Sequence, residues 1–297
     1  MKSITITALL ALFISTITNA QDTNLFDSLS KGDVKKQYVT AAFKSPRVIM
    51  SHSIEMLKPG VLDFRILHRF GNINQGSYEF FGLDQATMRL GLDYGITKNL
   101  TVGVGRGTYK KELDGFIKYR LLQQATGTKA VPLSVVFAAG TTLQTLKWSD
   151  PNRKNYFSSR MGYYFQFLAG RKFSEAFSVQ VMPTVVHRNL VETTDDPNDL
   201  YAAGIGGRLK LSKRISLNVD YYYVLNQNST DFHNPLSIGF DIETGGHVFQ
   251  LHFTNAIGMN ERVFLTETTN DWGSGDIQFG FNISRVFQIK KKKNIEW

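Results

Sequence analysis

The 297-residue chain contains no cysteine and only seven prolines. Without cysteine it cannot be a disulfide scaffold, ligate zinc or an iron–sulfur cluster through thiolates, or use a cysteine nucleophile. Long hydrophobic runs are also missing: past residue 20 no apolar stretch approaches the roughly 20 residues a membrane-spanning helix needs. The six histidines (His52, His68, His187, His233, His247, His252) show no ligand spacing of the His-Glu-x-x-His kind, so no metal or other cofactor is expected. What is plentiful is bulky and apolar: 42% of residues are hydrophobic, with 22 Phe and 12 Tyr. That much side chain must be buried against a core or against lipid, which excludes a disordered chain.

At the N-terminus, Met1-Lys2 precedes an apolar run from Ile4 to Ile17 and the small-residue ending Thr18-Asn19-Ala20. This is the pattern of a secretory signal peptide, residues 1–20, cleaved before Gln21. The alternative, a membrane anchor, suffers from a run too short to span. Gln21 in place of cysteine after the cleavage site excludes a lipoprotein anchor. The formal charge is +9, or +8 once Lys2 leaves with the signal. Basic chains suggest nucleic acid, but an exported one does not meet it, so no nucleic-acid partner is expected. Lys290 to Lys293 form one block and read as a solvated basic tail over 289–297. The remaining excess points weakly to anionic partners, such as lipopolysaccharide phosphates or acidic solutes.

From about residue 61 hydrophobicity alternates with period two, in segments divided by turn signals. Ala86, Met88, Leu90 and Leu92 alternate with Thr87, Arg89, Gly91 and Asp93; Ile215, Leu217, Val219 and Tyr221 alternate with Ser216, Asn218, Asp220 and Tyr222. Twelve such segments can be counted. Either a soluble sandwich or barrel, or a transmembrane barrel, produces this pattern. Segments of about 9–14 residues match the 9–11 of a tilted spanning strand better than the usual 5–6 of soluble strands. Opposite faces rich in Gly, Ser, Asn, Arg and Asp suit a wet lumen, and aromatics such as Tyr94, Phe177, Tyr201 and Tyr223 fall at segment ends. The expected fold is therefore all-β: a transmembrane antiparallel up-and-down β-barrel of about 12 strands over 59–288.

Tight turns such as Thr97-Lys98-Asn99 and Ser212-Lys213-Arg214 alternate with long polar connections such as 72–84, 189–199 and 256–274. Short turns on one side and long loops on the other is the pattern of a Gram-negative outer-membrane barrel. Two connections fit poorly: 108–113 is short for an outside loop, and 123–131 is long for an inside turn. Segment 48–57 has ragged alternation, so 21–58 reads as a periplasmic or lumen-inserted N-terminal segment and not as wall.

The runs His52-Ser53-Ile54-Glu55, Gly60-Val61-Leu62-Asp63-Phe64-Arg65, His68-Arg69-Phe70-Gly71 and Asp114-Gly115-Phe116-Ile117-Lys118-Tyr119-Arg120 carry a family likeness. It continues through His187-Arg188-Asn189, Phe240-Asp241-Ile242-Glu243-Thr244-Gly245-Gly246-His247 and Gly280-Phe281-Asn282-Ile283-Ser284-Arg285. Together they resemble an uncharacterised family of Gram-negative outer-membrane β-barrels, known as a domain of unknown function. The resemblance implies outer-membrane residence and a barrel; it implies no reaction, substrate or site residue.

An enzyme on the lipid face would follow the outer-membrane phospholipases, whose Ser and His project together; that needs His-x-Ser, which does not occur. Ser51-His52-Ser53, taken as a strand, puts His52 on the opposite face from both serines. Gly103-Val104-Gly105-Arg106-Gly107 lies inside a strand pattern with no helix following, so it is no phosphate loop; inward glycines let the wall bend or leave lumen room. The informative set is the inward parity. It places Asp63, Arg65 and Arg69, then Arg89 and Asp93, then Lys118 and Arg120, and Arg160 in the first half. Arg208, Lys210, Asp220, Asp241 and Glu243 follow in the second. These charges either form an ion-pair ladder bracing a closed barrel or divide an open eyelet. Twelve strands give a backbone diameter of roughly 24 Å, and about 10 Å after inward side chains. Eight of the thirteen are basic. The expectation is a passive channel for small hydrophilic, preferentially anionic solutes, not an enzyme, touching outer-membrane lipid and lipopolysaccharide. The alternative is a non-conducting barrel that anchors or escorts a periplasmic protein partner.

Overall fold

The computed structural model describes residues 35–290. The signal-peptide assignment at 1–20 and the tail lysines Lys291 to Lys293 lie outside the described residues. Twelve strands form the wall: β1 (Val61–Asn72), β2 (Ala86–Gly95), β3 (Leu100–Gly107), β4 (Glu112–Leu122), β5 (Ser134–Gln144) and β6 (Met161–Lys172). β7 (Phe177–Arg188), β8 (Asp199–Lys210), β9 (Ile215–Val224), β10 (Leu236–Thr244), β11 (His247–Thr254) and β12 (Gln278–Gln288) complete it. Each strand pairs antiparallel with its sequence neighbours, and β12 pairs back onto β1, so the sheet closes as an up-and-down barrel.

Period-two patterning is what builds this wall. In β1, Asp63, Arg65, Leu67 and Arg69 point inward and are buried, while Leu62, Phe64 and Ile66 between them are half-exposed. On the outer face Leu92 is 45% and Phe165 49% exposed, part of an apolar belt that only lipid can cover. Closure matters for the same reason, because an open edge would leave backbone N–H and C=O groups unpaired in hydrocarbon. Among the described residues no helix is long and apolar enough to cross a membrane; the crossing is made by strands.

One end of the barrel carries the tight connections 96–99, 173–176, 211–214 and 245–246; the other carries 73–85, 145–160, 189–198, 225–235 and 255–277. The two connections that fit poorly have a structural reason. Residues 123–133 are long because they tie down the incoming chain: Gln37 and Tyr38 pair with Thr126 and Ala125, and Val39 N donates to Gln124 O at 2.8 Å. Residues 108–111 are short but hold an inward-folded loop, since Lys110 (2.7 Å) and Tyr109 (3.1 Å) both reach Glu267.

The lumen is filled from both ends, so the space of about 10 Å that twelve strands leave after inward side chains is plugged. From the turn end, residues 39–60 rise as a hairpin, reverse where Val48 N donates to Ser51 O (2.9 Å) and return, with Arg47 bridging to His52. From the loop end, 255–277 folds inward and carries α1 (Glu261–Thr266), capped by Asn260, whose side chain accepts from Val263 N at 3.0 Å. Phe43, Ile49, Met50 and Ile54 of the hairpin and Phe264 of α1 share one apolar cluster with Tyr164, Leu168, Met182 and Tyr222 of the wall. The inward face is thus partly apolar. Inward glycines make room for its rings: a Cβ at Gly140 would stand 2.3 Å from the Tyr164 ring, its direct cross-strand partner.

Candidate functional site

The hairpin carries backbone polar groups into the lumen, and each must find a partner there. Wall side chains supply them. Asp220 on β9 accepts from Ile49 N (3.3 Å), Met50 N (3.0 Å), Ser51 N (3.1 Å) and Ser51 Oγ (2.9 Å), all through Oδ2. Carboxamides clamp the flanks: Gln180 donates to His52 O (2.7 Å) and accepts from Ile54 N (3.0 Å), Gln250 donates to Val48 O (2.5 Å), and Asn282 to Ile49 O (3.0 Å). Lys118 donates to Pro46 O (3.2 Å) and Glu55 O (2.6 Å), and Arg208 to Ala41 O (3.3 Å) and Ala42 O (3.1 Å).

The hairpin tip meets the inward loop at Arg47, whose Nη1 lies 3.1 Å from Glu261 Oε1 and donates to Met50 O at 2.8 Å. His52 Nε2 lies 3.0 Å from Tyr164 Oη and 3.4 Å from the same Glu261 oxygen. Burial, then the positive charge of Arg47, hold the His52 imidazole well below its ordinary pKa, so it is neutral at pH 7. Burial pushes the Glu261 carboxyl up although Arg47 opposes it. Arg262 anchors the loop to the wall through Glu112 (2.6 and 3.0 Å) and meets Glu267 at 2.6 Å. Hairpin and loop together form a septum, with a cavity of about 770 Å³ at the turn end and one of about 960 Å³ at the loop end.

The sequence-derived charges fall into three groups. Arg65 lies between Asp63 (2.7 Å) and Asp93 (3.3 Å), and Arg89 reaches across β3 to grip Asp114 at 2.7 and 2.5 Å. Gly105 permits this, because its Cβ would stand 2.2 Å from the Arg89 guanidinium. Lys118, Arg208 and Asp220 hold the hairpin, as above; Asp241 accepts from Gln250 (2.8 Å), and Arg69 donates to Asn282 (3.0 Å) with Nε and Nη2 unpartnered. At the turn-end mouth, Glu243 pairs with Lys44, Arg120 donates to Gln123 (3.0 Å) and Lys210 is half-buried. Arg160 lies in the 3-10 turn just before β6, in the lining of the loop-end cavity, where its guanidinium stacks 3.9 Å over Trp148.

Counting charges missed the neutral clamps Gln180, Gln250 and Asn282, and the septum residues Arg47, Glu261 and Arg262. Asp114 shares the parity of Lys118 and was readable. The strand assumed for Ser51-His52-Ser53 is also corrected. Ser51 closes the hairpin turn, and His52 and Ser53 begin its returning arm; Ser51 Oγ serves Asp220 and Ser53 Oγ donates to Ser45 O at 2.6 Å. Among the described residues no serine hydroxyl is hydrogen-bonded to an imidazole.

The family profile described as "Membrane bound beta barrel domain (DUF5777)" matches residues 43–287. The chain belongs to that family. The match begins inside the hairpin, so most of the DUF5777 plug and the whole wall are one sequence unit. No curated protein is matched by the sequence. Among solved structures, the chain is similar to the NanC porin (9% identity, 77% of this chain and 100% of that one, TM-score 0.48). It is similar to the COG4313 outer membrane channel from Pseudomonas putida F1 (12%, 78% and 97%, TM-score 0.48). It is also similar to outer membrane phospholipase A from Escherichia coli (12%, 77% and 91%, TM-score 0.42). These likenesses are of shape, and carry nothing about solute or reaction.

Proposed function

We propose that this DUF5777 barrel resides in the outer membrane of a Gram-negative bacterium, after cleavage of residues 1–20, as a channel for small hydrophilic, preferentially anionic solutes. In this structure it is shut. The turn end then faces the periplasm and the loop end the exterior. The observation that carries the reading is the septum: two cavities, the turn-end one mostly apolar in its lining and the loop-end one mostly polar, are separated by two inserted segments, not by a fused wall. Both segments are joined to the wall and to each other through hydrogen bonds and buried ion pairs, contacts that water can replace when a segment moves. The anion preference rests on an imbalance of pairing. Among the buried inward charges that form no salt bridge, the cations Lys118, Arg208 and Arg69 outnumber the acids Asp220 and Asp241.

A second reading is a non-conducting barrel that anchors a periplasmic partner. It is favoured by the depth of the septum, in which Met50, Ser51 and Ser53 have no exposed surface. Planar-bilayer recording of the full chain beside Asp220→Asn and Arg47→Gln variants separates the two. The channel reading expects rare anion-leaning steps from the native chain and more frequent ones from the variants. Folded barrels silent in all three would overturn it.

A further inference from the structure

Lys118 and Arg208 are buried cations on the inner wall, 1% and 3% exposed. Their hydrogen-bond acceptors are all main-chain carbonyls of the hairpin: Pro46 and Glu55 for Lys118, Ala41 and Ala42 for Arg208. The acidic groups that act on them, Glu55 and Asp93 for Lys118 and Asp241, Glu55, Glu243 and Glu175 for Arg208, do so without ion-pair contact. A buried cation left without an acceptor is costly, so these carbonyls do the work of an anion while the hairpin is seated. Carbonyl oxygens are the weaker partners, because they lack the full negative charge that an ionised oxygen sets against a cation.

Withdrawal of residues 39–60 strips both cations of every acceptor at once, in a lumen that then fills with water and solute. Resting on the channel reading above, we infer that Lys118 and Arg208 are oxyanion-binding sites of the open lumen, which the hairpin carbonyls occupy when it is shut. A small carboxylate or phosphate and the hairpin therefore compete for the same two groups. An anion that binds only the released state raises that state's population by 1 + [anion]/Kd for each site. At ten times Kd for one site the increase is about elevenfold. The permeant species thus acts as its own opener, and removing it lets the hairpin return.

The amides of Ile49, Met50 and Ser51 report the seated state, because all three are bonded to Asp220. The test is amide hydrogen exchange of the peptide covering 48–54 in the full chain, held in a detergent without phosphate or carboxylate groups. Inorganic phosphate or citrate is compared with chloride at equal ionic strength. Phosphate and citrate should accelerate exchange of this peptide several-fold over chloride, while the wall strands stay protected. In Lys118→Gln with Arg208→Gln the basal rate should rise and the anion dependence disappear; Lys118→Arg should retain it. Equal rates in phosphate and chloride for the native chain overturn the proposal without reference to any variant. So does an anion effect that survives in the folded double variant. The readout is independent of conductance. Exchange that responds to phosphate in a barrel silent in bilayers sinks the channel reading alone, and conductance with phosphate-insensitive exchange sinks the competition alone.

Discussion

Arg47 at the hairpin tip and Glu261 in α1 meet at 3.1 Å, with side chains only 2% and 1% exposed, and so join a segment inserted from one end of the barrel to a loop folded in from the other. Buried pairs of this kind are dearer to break than to replace. Arg47→Met leaves Glu261 buried beside a neutral imidazole and should lower stability by about 3–5 kcal/mol. Arg47→Met with Glu261→Leu should recover most of that. Urea unfolding of the four members of the cycle measures the coupling, and additive single effects would show that the pair does not join the two segments.

Asp220 is the hairpin's main anchor, taking four hydrogen bonds on one oxygen. Bonds to a charged acceptor contribute about 1.5–3 kcal/mol each, so Asp220→Asn should loosen the tip with the barrel intact. Exchange of the 49–51 amides should accelerate by at least about tenfold, since 1.4 kcal/mol is a factor of ten. Unchanged exchange would mean that the carboxamides Gln180, Gln250 and Asn282 suffice.

The septum should respond to acid through His52. Its seated pKa lies well below the ordinary 6.5, so the released state takes up a proton that the seated state refuses. The seated state therefore loses stability as pH falls below 6.5, about tenfold in population per unit down to the depressed value. Burial, and then the positive charges of Arg47, Lys118, Arg89 and Arg65, keep the ring neutral. Glu261 acts in the opposite sense: its raised pKa favours the seated state as pH falls through that value. Divided by the intrinsic exchange rate at each pH, opening at 48–54 should rise between pH 7.5 and 5.5, flatten in His52→Gln and steepen in Glu261→Gln. Native opening that falls with acid after that division would show that Glu261 dominates.

Arg89 grips Asp114 across Gly105, and a side chain there would strike the guanidinium. Gly105→Val should cost about 1–3 kcal/mol by overpacking and by displacing a buried pair. Gly207 has nothing within 4 Å of its would-be Cβ, so Gly207→Ala should stay within about 0.5 kcal/mol. Equal losses at both positions would refute the crossing.

The wall was legible because one physical rule, apolar out and polar in, acts at every strand; Asp63, Arg65 and Arg69 on one face of β1 suffice to orient it. The septum was not. Residues 48–57 follow no period because their contacts scatter over five strands: Val48 to β11, Ile49 to β9 and β12, His52 to β6 and β7. Gly140 was readable as room in the lumen, but not as room for Tyr164, since a cross-strand partner depends on register and not on either local sequence. Arg160 keeps the parity of β6 although it stands one residue before the strand, and it lines the loop-end cavity.

The central claim is a channel held shut by two inserted segments, and single-channel recording tests it most directly. With Asp220→Asn and Arg47→Gln combined in the full chain, the account predicts frequent steps with a reversal potential displaced toward the anion. The native chain should give the same unit conductance with far lower open probability. A double variant that is folded, inserted and silent would contradict it, and would leave the barrel as an anchor.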